Sequence, residues 1–289
     1  MAKKVTLVFN PIVERIAETR MLKENLPKVM EWLAHRRPKC LPDNYSKWEE
    51  LFPHRGRRFP DDPSSAILVN DDELLVEFAG RKCYDSFGDI VSGQKTNDGY
   101  IKNTQAHYPP HRSIMYHPHI TYFFAGISRR MAKELQRNYI GHAKDEEGSP
   151  SQESTRYTHH YGYYVVHPRD CNSEQSVDAF RAACQVNYDT YECYIKNQSY
   201  EYKSKYGKSP RGLDWKRIYE CAAGLLNGQA ETSFVWTTNP VAEMKLWNER
   251  CSEAADLEFQ RFARVWRTAA VNISPNLYPG VSNGKEGEL

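Results

Sequence analysis

The most constraining feature of the sequence is the stretch over 126–157, which begins as an amphipathic helix and ends in a polar turn. Ser128 is a good helix N-cap, and an apolar residue recurs at every fourth position over 127–139, which predicts one buried face. After a loop rich in Gly, Ser, Pro and acidic residues, the chain reads Ser-Thr-Arg-Tyr over 154–157. Two interpretations stay open: a cradle for a flat anionic ligand such as a nucleotide, or a solvated cationic helix followed by a flexible loop.

Charge and hydropathy limit the class of protein. The chain has 289 residues, a formal net charge of +2 and a sequence pI of about 8.1. Because positive and negative charges nearly cancel, the composition indicates neither a nucleic-acid partner nor a membrane surface. Any anion site must therefore be local. No apolar run reaches the ~18 residues of a membrane helix, and the apolar part of MAKKVTLVF is too short for a signal peptide. We therefore predict a cytoplasmic protein.

Neither the cysteines nor the histidines form a usual metal or disulfide pattern. The seven cysteines are scattered and contain no CxxC pair, which favours small core residues. Histidines at 107, 111, 117 and 119 invite a metal hypothesis, because side chains at i and i+2 on a strand share a face. No Asp, Glu or Cys stands nearby at a usual ligand spacing. We therefore predict that no metal is bound. The histidines are instead interpreted as polar residues at the start of a strand, one of which contacts a ligand.

The order of elements predicts an α+β protein in which helices dominate and the sheet is small. Strands are predicted over 4–9, from about 119 to 125 and over 157–166. Helices are predicted over 71–83, from 173 to about 200, from Pro210 to 226, from an Asn239 cap and Pro240 to about 250, and from a Ser252 cap onward.

Four segments, read in order, resemble the flavin-dependent thymidylate synthase (ThyX) family. Residues 79–86 (AGRKCYDS) are similar to its AAR-x-S/C-Y segment, and 113–129 (SIMYHPHITYFFAGISR) to its SxLEHxxFTFxxxGISR segment. Residues 135–157 (LQRNYIGH…SQESTRY) are similar to LVRHRxxS…QxSxRY, and 237–259 (TTNPVAEMKLWNERCSEAADLEF) to TxNxRxxxxFxxxRxxxHAxxEI.

The resemblance implies a ThyX-like fold, with helices packed around a small central antiparallel or mixed sheet, in a homotetramer around FAD. It also implies methylation of C5 of dUMP or a related pyrimidine nucleotide. Methylenetetrahydrofolate would supply the carbon and NADPH would reduce the flavin. We predict one catalytic domain over 1–280, with 10–65 as a family-divergent insertion or loop region and 281–289 as a disordered tail.

The resemblance also implies site residues. The nucleotide would be held by Gln152, Ser154, Arg156, Tyr157 and Arg250. Of these, Ser154, Arg156 and Arg250 would act in catalysis. The cofactor would be held by His117, Arg137, Asn138 and Asn239, with Tyr139 and Lys245 as replacements for lost contacts.

The chain departs from the family pattern mainly on the cofactor side. The family's Arg-His-Arg is Arg137-Asn138-Tyr139 here, and about seven residues are inserted before Ser154. Three further positions lack a family Arg or His: Ala223, Val241 and Ala254. Two explanations stay open. Either the flavin is held differently, or the chain has another role, such as C5 hydroxymethylation of dUMP, UMP or dCMP, or non-catalytic nucleotide binding.

Overall fold

The structure is a computed structural model, and it describes residues 4–36, 69–84, 86–87, 96–106, 110–141, 149–166, 171–279 and 281. His107, the segment inserted over 142–148 and the predicted tail from 282 lie outside this part of the chain. Its strands are β1 (Thr6–Val8), β2 (Ile12–Ala17), β3 (Ile120–Ser128), β4 (Ser149–Gln152), β5 (Tyr163–Val165) and β6 (Glu231–Thr238). Its α-helices are α1 (Leu26–Arg36), α2 (Asp71–Tyr84), α3 (Asn97–Ala106), α4 (Arg129–Gly141), α5 (Glu174–Tyr206), α6 (Leu213–Ala223), α7 (Pro240–Arg250) and α8 (Leu257–Ile273).

The strands form two small sheets. The larger has the order β2-β3-β6-β4, and each neighbouring pair is antiparallel. The smaller is the parallel pair of β1 and β5. With helices dominant around these sheets, the predicted α+β fold class is confirmed.

One face of the larger sheet carries the core. Side chains alternate between buried and half-buried along β3 and β6, as expected for strands covered on one side only. The ring of Phe124 packs edge-on against Phe262 of α8 at 4.9 Å and against Trp266 at 5.1 Å between centroids. From α4, Met131 and Leu135 are also fully buried in this core, so the predicted apolar face of that helix is confirmed at these positions.

A β-bulge redirects the end of β3 into α4. The register of β3 against β6 shifts between Phe124 and Ile127. Gly126, inside the bulge, has a φ of +68°, and a Cβ there would stand 2.6 Å from the Asn10 carbonyl oxygen. Its N–H donates to Glu231 Oε1 at 2.8 Å. A glycine is therefore required, because this backbone conformation and this close approach both exclude a side chain.

Several helix signals in the sequence act as predicted. Acidic residues occupy the first turn of α2, and Arg81 and Lys82 its last turn. The Asn239 side chain accepts hydrogen bonds from two backbone N–H groups at the start of α7, with Pro240 as first residue. Helix α5 starts where predicted, with the Ser173 side chain in a capping box, but it ends at Tyr206, before a Gly207 C-cap and six residues beyond the predicted end near 200.

Other boundaries were predicted wrongly. The sixth helix begins at Leu213 after Gly212, not at Pro210. The last helix is capped by Asp256, which accepts from Glu258 N and Phe259 N, whereas the Ser252 hydroxyl donates to a carbonyl oxygen of the preceding helix at 2.8 Å. Strands β2, β4 and β6 were not predicted. Residues 12–17, assigned to a loop region, instead pair with β3, and the strand expected over 157–166 is confined to β5.

A second apolar cluster joins α5, α6 and the small sheet. As its sequence stripe predicts, α5 buries Cys184, Tyr188, Tyr191 and Ile195. The phenol of Tyr191 accepts a hydrogen bond from the backbone N–H of His160 at 3.0 Å. This cluster therefore anchors the chain that follows the Ser-Thr-Arg-Tyr segment.

Helix α7 carries a carboxylic acid, Glu243, that is buried in the core. Glu243 is fully buried, and the Tyr278 hydroxyl donates to its Oε2. Its Oε1 has no hydrogen-bond partner among the residues that the structure describes. Burial raises the pKa of Glu243 to about 8 from its usual 4.5, since a carboxylate is poorly solvated in an apolar core. The side chain is therefore protonated at neutral pH.

We predict that Glu243→Gln removes a pH dependence of stability. The folded state keeps a proton that the unfolded state releases above its ordinary pKa of 4.5. The contribution of this group is complete below pH 4.5 and is lost as pH rises to about 8, at up to about 1.4 kcal/mol per pH unit. Urea unfolding at a series of pH values should show E243Q gaining stability over the wild type as pH rises.

Glu77→Gln is the matched control, because Glu77 is equally buried but pairs with Arg81 at 2.7 Å. This variant should lose stability across the whole range. A difference between E243Q and wild type that does not change with pH would contradict the assignment.

Candidate functional site

The start of α4 is fixed by a buried hydrogen-bonded clamp. Ser128 Oγ accepts from Met131 N at 3.0 Å, which confirms Ser128 as the predicted N-cap. The same hydroxyl donates to Glu258 Oε2 at 2.7 Å, and the Ser128 N–H donates to Oε1 at 2.7 Å. Glu258 is buried at the start of α8, and burial raises its pKa. This Ser128–Glu258 clamp sets the position and rotation of α4.

Two polar faces of α4 flank an exposed ridge. Residues three, four or seven apart on a helix share a face, so Arg129 and Gln136 lie on one side and Arg130 and Glu134 on the other. All four are half-buried. Between them lie the exposed side chains of Lys133 and Arg137. The side chains of Asn138 and Tyr139 lie outside what the structure describes.

The first polar face meets β4. Gln136 Nε2 donates to Gln152 Oε1 at 2.7 Å, and Gln152 Nε2 donates to Thr232 Oγ1 of β6 at 3.1 Å. The Arg129 guanidinium lies near Glu153, and burial lowers its pKa. No residue in the described ranges is seen to hydrogen-bond this guanidinium. The partly desolvated guanidinium of Arg129 therefore lies near Glu153, the residue that precedes the Ser-Thr-Arg-Tyr turn.

The turn that follows is held by its own first residue. The Ser154 carbonyl oxygen accepts from Tyr157 N and Thr158 N, both at 3.0 Å. The Ser154 hydroxyl oxygen accepts from Arg156 N at 3.3 Å. These bonds fix the backbone and leave the side chains of Arg156 and Tyr157 exposed, by 56% and 63%. The turn therefore presents a guanidinium and a phenol ring next to each other.

The helix α6 supplies charged neighbours for this turn. Arg156 Nε donates to Glu220 Oε1 at 2.7 Å, and a terminal guanidinium nitrogen donates to the same oxygen. These bonds lower the pKa of Glu220 and raise that of Arg156. The ammonium of Lys216 lies 5.0 Å from the centre of the Tyr157 ring, within cation–π distance. The cluster combines two cations, one carboxylate and an exposed aromatic ring.

The second polar face of α4 meets the end of α7. Arg250 NH1 lies 4.0 Å from Glu134 Oε2, and the Arg250 guanidinium lies 5.0 Å from the centre of the Phe259 ring. Arg130 makes two hydrogen bonds to Asp256, at 2.5 and 3.2 Å. This face therefore joins α4 to the junction of α7 and α8.

The structure brings together some of the predicted site residues and separates others. Gln152, Ser154, Arg156 and Tyr157 follow one another on the side of the first polar face. Arg250 contacts the second polar face instead. Within one chain the two predicted nucleotide-binding arginines thus have separate surroundings.

Two of the predicted cofactor residues, His117 and Asn239, lie at one end of the larger sheet. Ile120 pairs with Thr238. His117, just before β3, and Asn239, just after β6, therefore lie at the same end of these two strands. His117 is exposed. Asn239 is 2% exposed, and its side-chain oxygen accepts from two backbone N–H groups of α7, each at 3.1 Å. Lys245 is half-buried on the same helix.

Four residues in these surroundings were not assigned from the sequence: Arg129, Glu134, Lys216 and Glu220. The spacing of Arg129 and Gln136 on α4 is a usable signal, because residues seven apart share a helix face. No local pattern links Glu220 to Arg156, which lies 64 positions away.

Among the described residues, no group of three or more His, Cys, Asp or Glu side chains is arranged to hold a metal ion. No α-helix in the same part of the chain has both the length and the apolar character needed to cross a membrane.

Comparison with known proteins gives concordant matches. A family model described as thymidylate synthase complementing protein (Thy1) matches residues 67–276. The flavin-dependent thymidylate synthase of Mycobacterium leprae (strain Br4923) is 29% identical over 221 residues, which are 76% of this chain and 84% of that protein.

Two solved structures share the fold. The UMP/dUMP methylase PolB of Streptomyces cacaoi, bound with 5-Br UMP, has a TM-score of 0.56 at 14% identity and covers 95% of both chains. The flavin-dependent thymidylate synthase ThyX of Helicobacter pylori, complexed with FAD and dUMP, has a TM-score of 0.50 at 17% identity and covers 72% of this chain and 94% of that one.

We predict that Ser128 and Glu258 are energetically coupled. In a double-mutant cycle by urea unfolding, Ser128→Ala and Glu258→Gln should show a coupling free energy of about 1–2 kcal/mol, because both changes disrupt the same buried charge-assisted hydrogen bond, from Ser128 Oγ to Glu258 Oε2. Ser252→Ala is the control, since its hydroxyl bonds only a nearby carbonyl oxygen. Additive effects of S128A and E258Q would contradict the role of the clamp.

Proposed function

The chain belongs to the thymidylate synthase complementing protein (ThyX) family, and from that premise we propose that it methylates C5 of a uracil nucleotide. The family predicted from four sequence segments is confirmed, and with it the ThyX-like fold and an enzyme of the thymidylate synthase type. We propose dUMP or UMP as substrate, methylenetetrahydrofolate as carbon donor, FAD as redox cofactor and NADPH as reductant. A cytoplasmic location stays a prediction.

The observation that carries this proposal is the arrangement of the turn over 154–157. Its backbone is held by Ser154, so the turn presents the exposed side chains of Arg156 and Tyr157 next to each other. An arginine fork matches phosphate or carbonyl oxygens, and a phenol ring offers a flat face to a base. The Ser154 oxygen accepts a backbone hydrogen bond, so its own hydroxyl hydrogen is the group that would reach a substrate oxygen.

The surroundings of Arg129 support a site for an anion beside this turn. Burying an arginine without a hydrogen-bonded anion is costly, and a nucleotide phosphate would satisfy the guanidinium. We therefore add Arg129 to the proposed nucleotide-binding residues, with Gln152 positioned between it and the turn.

We further propose that neighbouring subunits complete the site in a homotetramer. Arg156 and Arg250 lie on different sides of α4, so a nucleotide held by both would contact more than one copy of the chain. The face of the larger sheet that turns away from α8 supports such an assembly. It carries Ile12 and Ile16, exposed by 49% and 54%, and half-buried Phe123 and Val235, and such apolar patches commonly mark interfaces.

The chemistry of the predicted cofactor residues fits a phosphate-bearing flavin. Arg137 and Lys245 would match a pyrophosphate, and exposed His117 adds a polar ring. The Asn239 oxygen caps α7, so a contact with cofactor would come from its NH2 group. FAD, when bound, supplies the hydride that brings the transferred carbon to the methyl level. The chain's own residues would bind and orient the nucleotide and balance charge on the uracil oxygens.

A second candidate function is C5 hydroxymethylation, or nucleotide binding without catalysis. The lost family residues at 138, 139, 241 and 254 motivate it, because they fall on the cofactor side while the nucleotide-side turn is intact. UMP is already among the alternative substrates, and the near-complete overlap with PolB, a UMP/dUMP methylase, supports testing it.

The test of the proposed function is a tritium-release assay. We expect release from [5-³H]dUMP or [5-³H]UMP with methylenetetrahydrofolate, FAD and NADPH present, and a product heavier by CH2. A gain of CH2O would establish hydroxymethylation instead. Nucleotide binding with no release, and no flavin absorbance after reconstitution with FAD, would establish the non-catalytic alternative.

We predict that Arg156→Ala and Arg250→Ala each weaken dUMP binding by about 1.5–3 kcal/mol, the range of a hydrogen bond to a charged group. Calorimetric titration measures the change. Arg181→Ala is the matched control, because Arg181 is an exposed arginine paired with Asp178 on α5 at 3.0 Å. Unchanged affinity in both R156A and R250A would remove these residues from the site.

A further inference from the structure

The Arg156–Glu220 ion pair is a feature of the turn that the family resemblance does not account for. Two nitrogens of the Arg156 guanidinium donate to one oxygen, Glu220 Oε1. Lys216, one turn earlier on α6, lies 3.9 Å from that same oxygen. The carboxylate thus occupies the donors that a nucleotide would need.

The ion pair can open without disturbing the fold. The side chains of Arg156 and Glu220 are 56% and 33% exposed, and ion pairs at such exposure contribute little to stability. The turn itself is held by bonds to Ser154, not by Glu220. After opening, the carboxylate still has Lys216 within reach on its own helix.

We propose that Glu220 is a specificity-determining residue that competes with the phosphate of the incoming nucleotide for Arg156. This inference rests on the proposed function, because it takes the nucleotide to bind at the turn over 154–157. A phosphate monoester carries up to two negative charges and three acceptor oxygens, so it displaces a single carboxylate. A nucleoside has no phosphate and leaves the ion pair in place.

The competition has a consequence for selectivity. Without Glu220, the cluster of Arg156 and Lys216 would attract any small phosphate compound. With Glu220 in place, a phosphate must displace a carboxylate, and only a ligand that also gains contacts through its base binds tightly. Specificity of this kind comes from weakening the wrong partners as much as from strengthening the right one.

The experiment is a calorimetric comparison of wild type and Glu220→Gln with dUMP, UMP, inorganic phosphate and deoxyuridine. E220Q should bind the two nucleotides and inorganic phosphate about threefold to tenfold more tightly, and deoxyuridine with unchanged affinity. Glu220→Asp keeps the charge on a shorter side chain and should fall between wild type and E220Q. Asp178→Asn changes the net charge equally, but Asp178 pairs with Arg181 on α5, so its dUMP affinity should match that of the wild type.

The outcomes separate this inference from the proposed function. If wild type binds dUMP and E220Q binds it no more tightly, the inference fails while the proposed function stands. If E220Q binds dUMP more weakly than wild type, Glu220 orients Arg156 instead of competing for it, and the inference also fails. An equal gain for deoxyuridine also overturns it, because the gain then does not come from the phosphate. If neither protein binds dUMP or UMP, the proposed function fails and the inference fails with it.

Discussion

The candidate site depends on one buried interaction, the clamp between Ser128 and the Glu258 carboxylate. The Ser128 hydroxyl both caps α4 and donates to Glu258, so one residue fixes where this helix begins and how α8 lies against it. The bulge at Gly126 directs the chain into that position. Burying the carboxylate is unfavourable, as its raised pKa indicates, and the two hydrogen bonds from Ser128, together with one from Arg130, offset that cost. Because the rotation of α4 follows from this clamp, so does the placing of its two polar faces.

The sequence predicted those elements whose signals are local. The Asn239-Pro240 start of α7, the charge arrangement of α2 and the apolar stripe of α5 depend on neighbours a few residues away, and all three were confirmed. Strands β2 and β6 were not predicted, since their stability comes from pairing with β3, which is distant in the chain. The choice of Asp256 over Ser252 as a cap also depends on tertiary structure, because Arg130 holds Asp256 in place.

The same division applies to the site. The continuous segment from Gln152 to Tyr157 could be recognised from its residues, and its turn is held by bonds within that segment. The partners that α4 and α6 bring to it could not be recognised. An amphipathic pattern identifies the buried face of α4, but it does not say which polar face will meet Gln152. The pairing of Arg156 with Glu220 joins residues whose spacing has no local signature.

The buried Glu243 affects the measured enthalpy of unfolding as well as the stability of the protein. Since this acid is protonated when buried and ionised when exposed at neutral pH, unfolding releases a proton to the solvent. The buffer takes up that proton and contributes its own ionisation heat. Calorimetric unfolding enthalpies of this protein will therefore differ between buffers of high and low ionisation enthalpy at the same pH, and the difference counts the protons released.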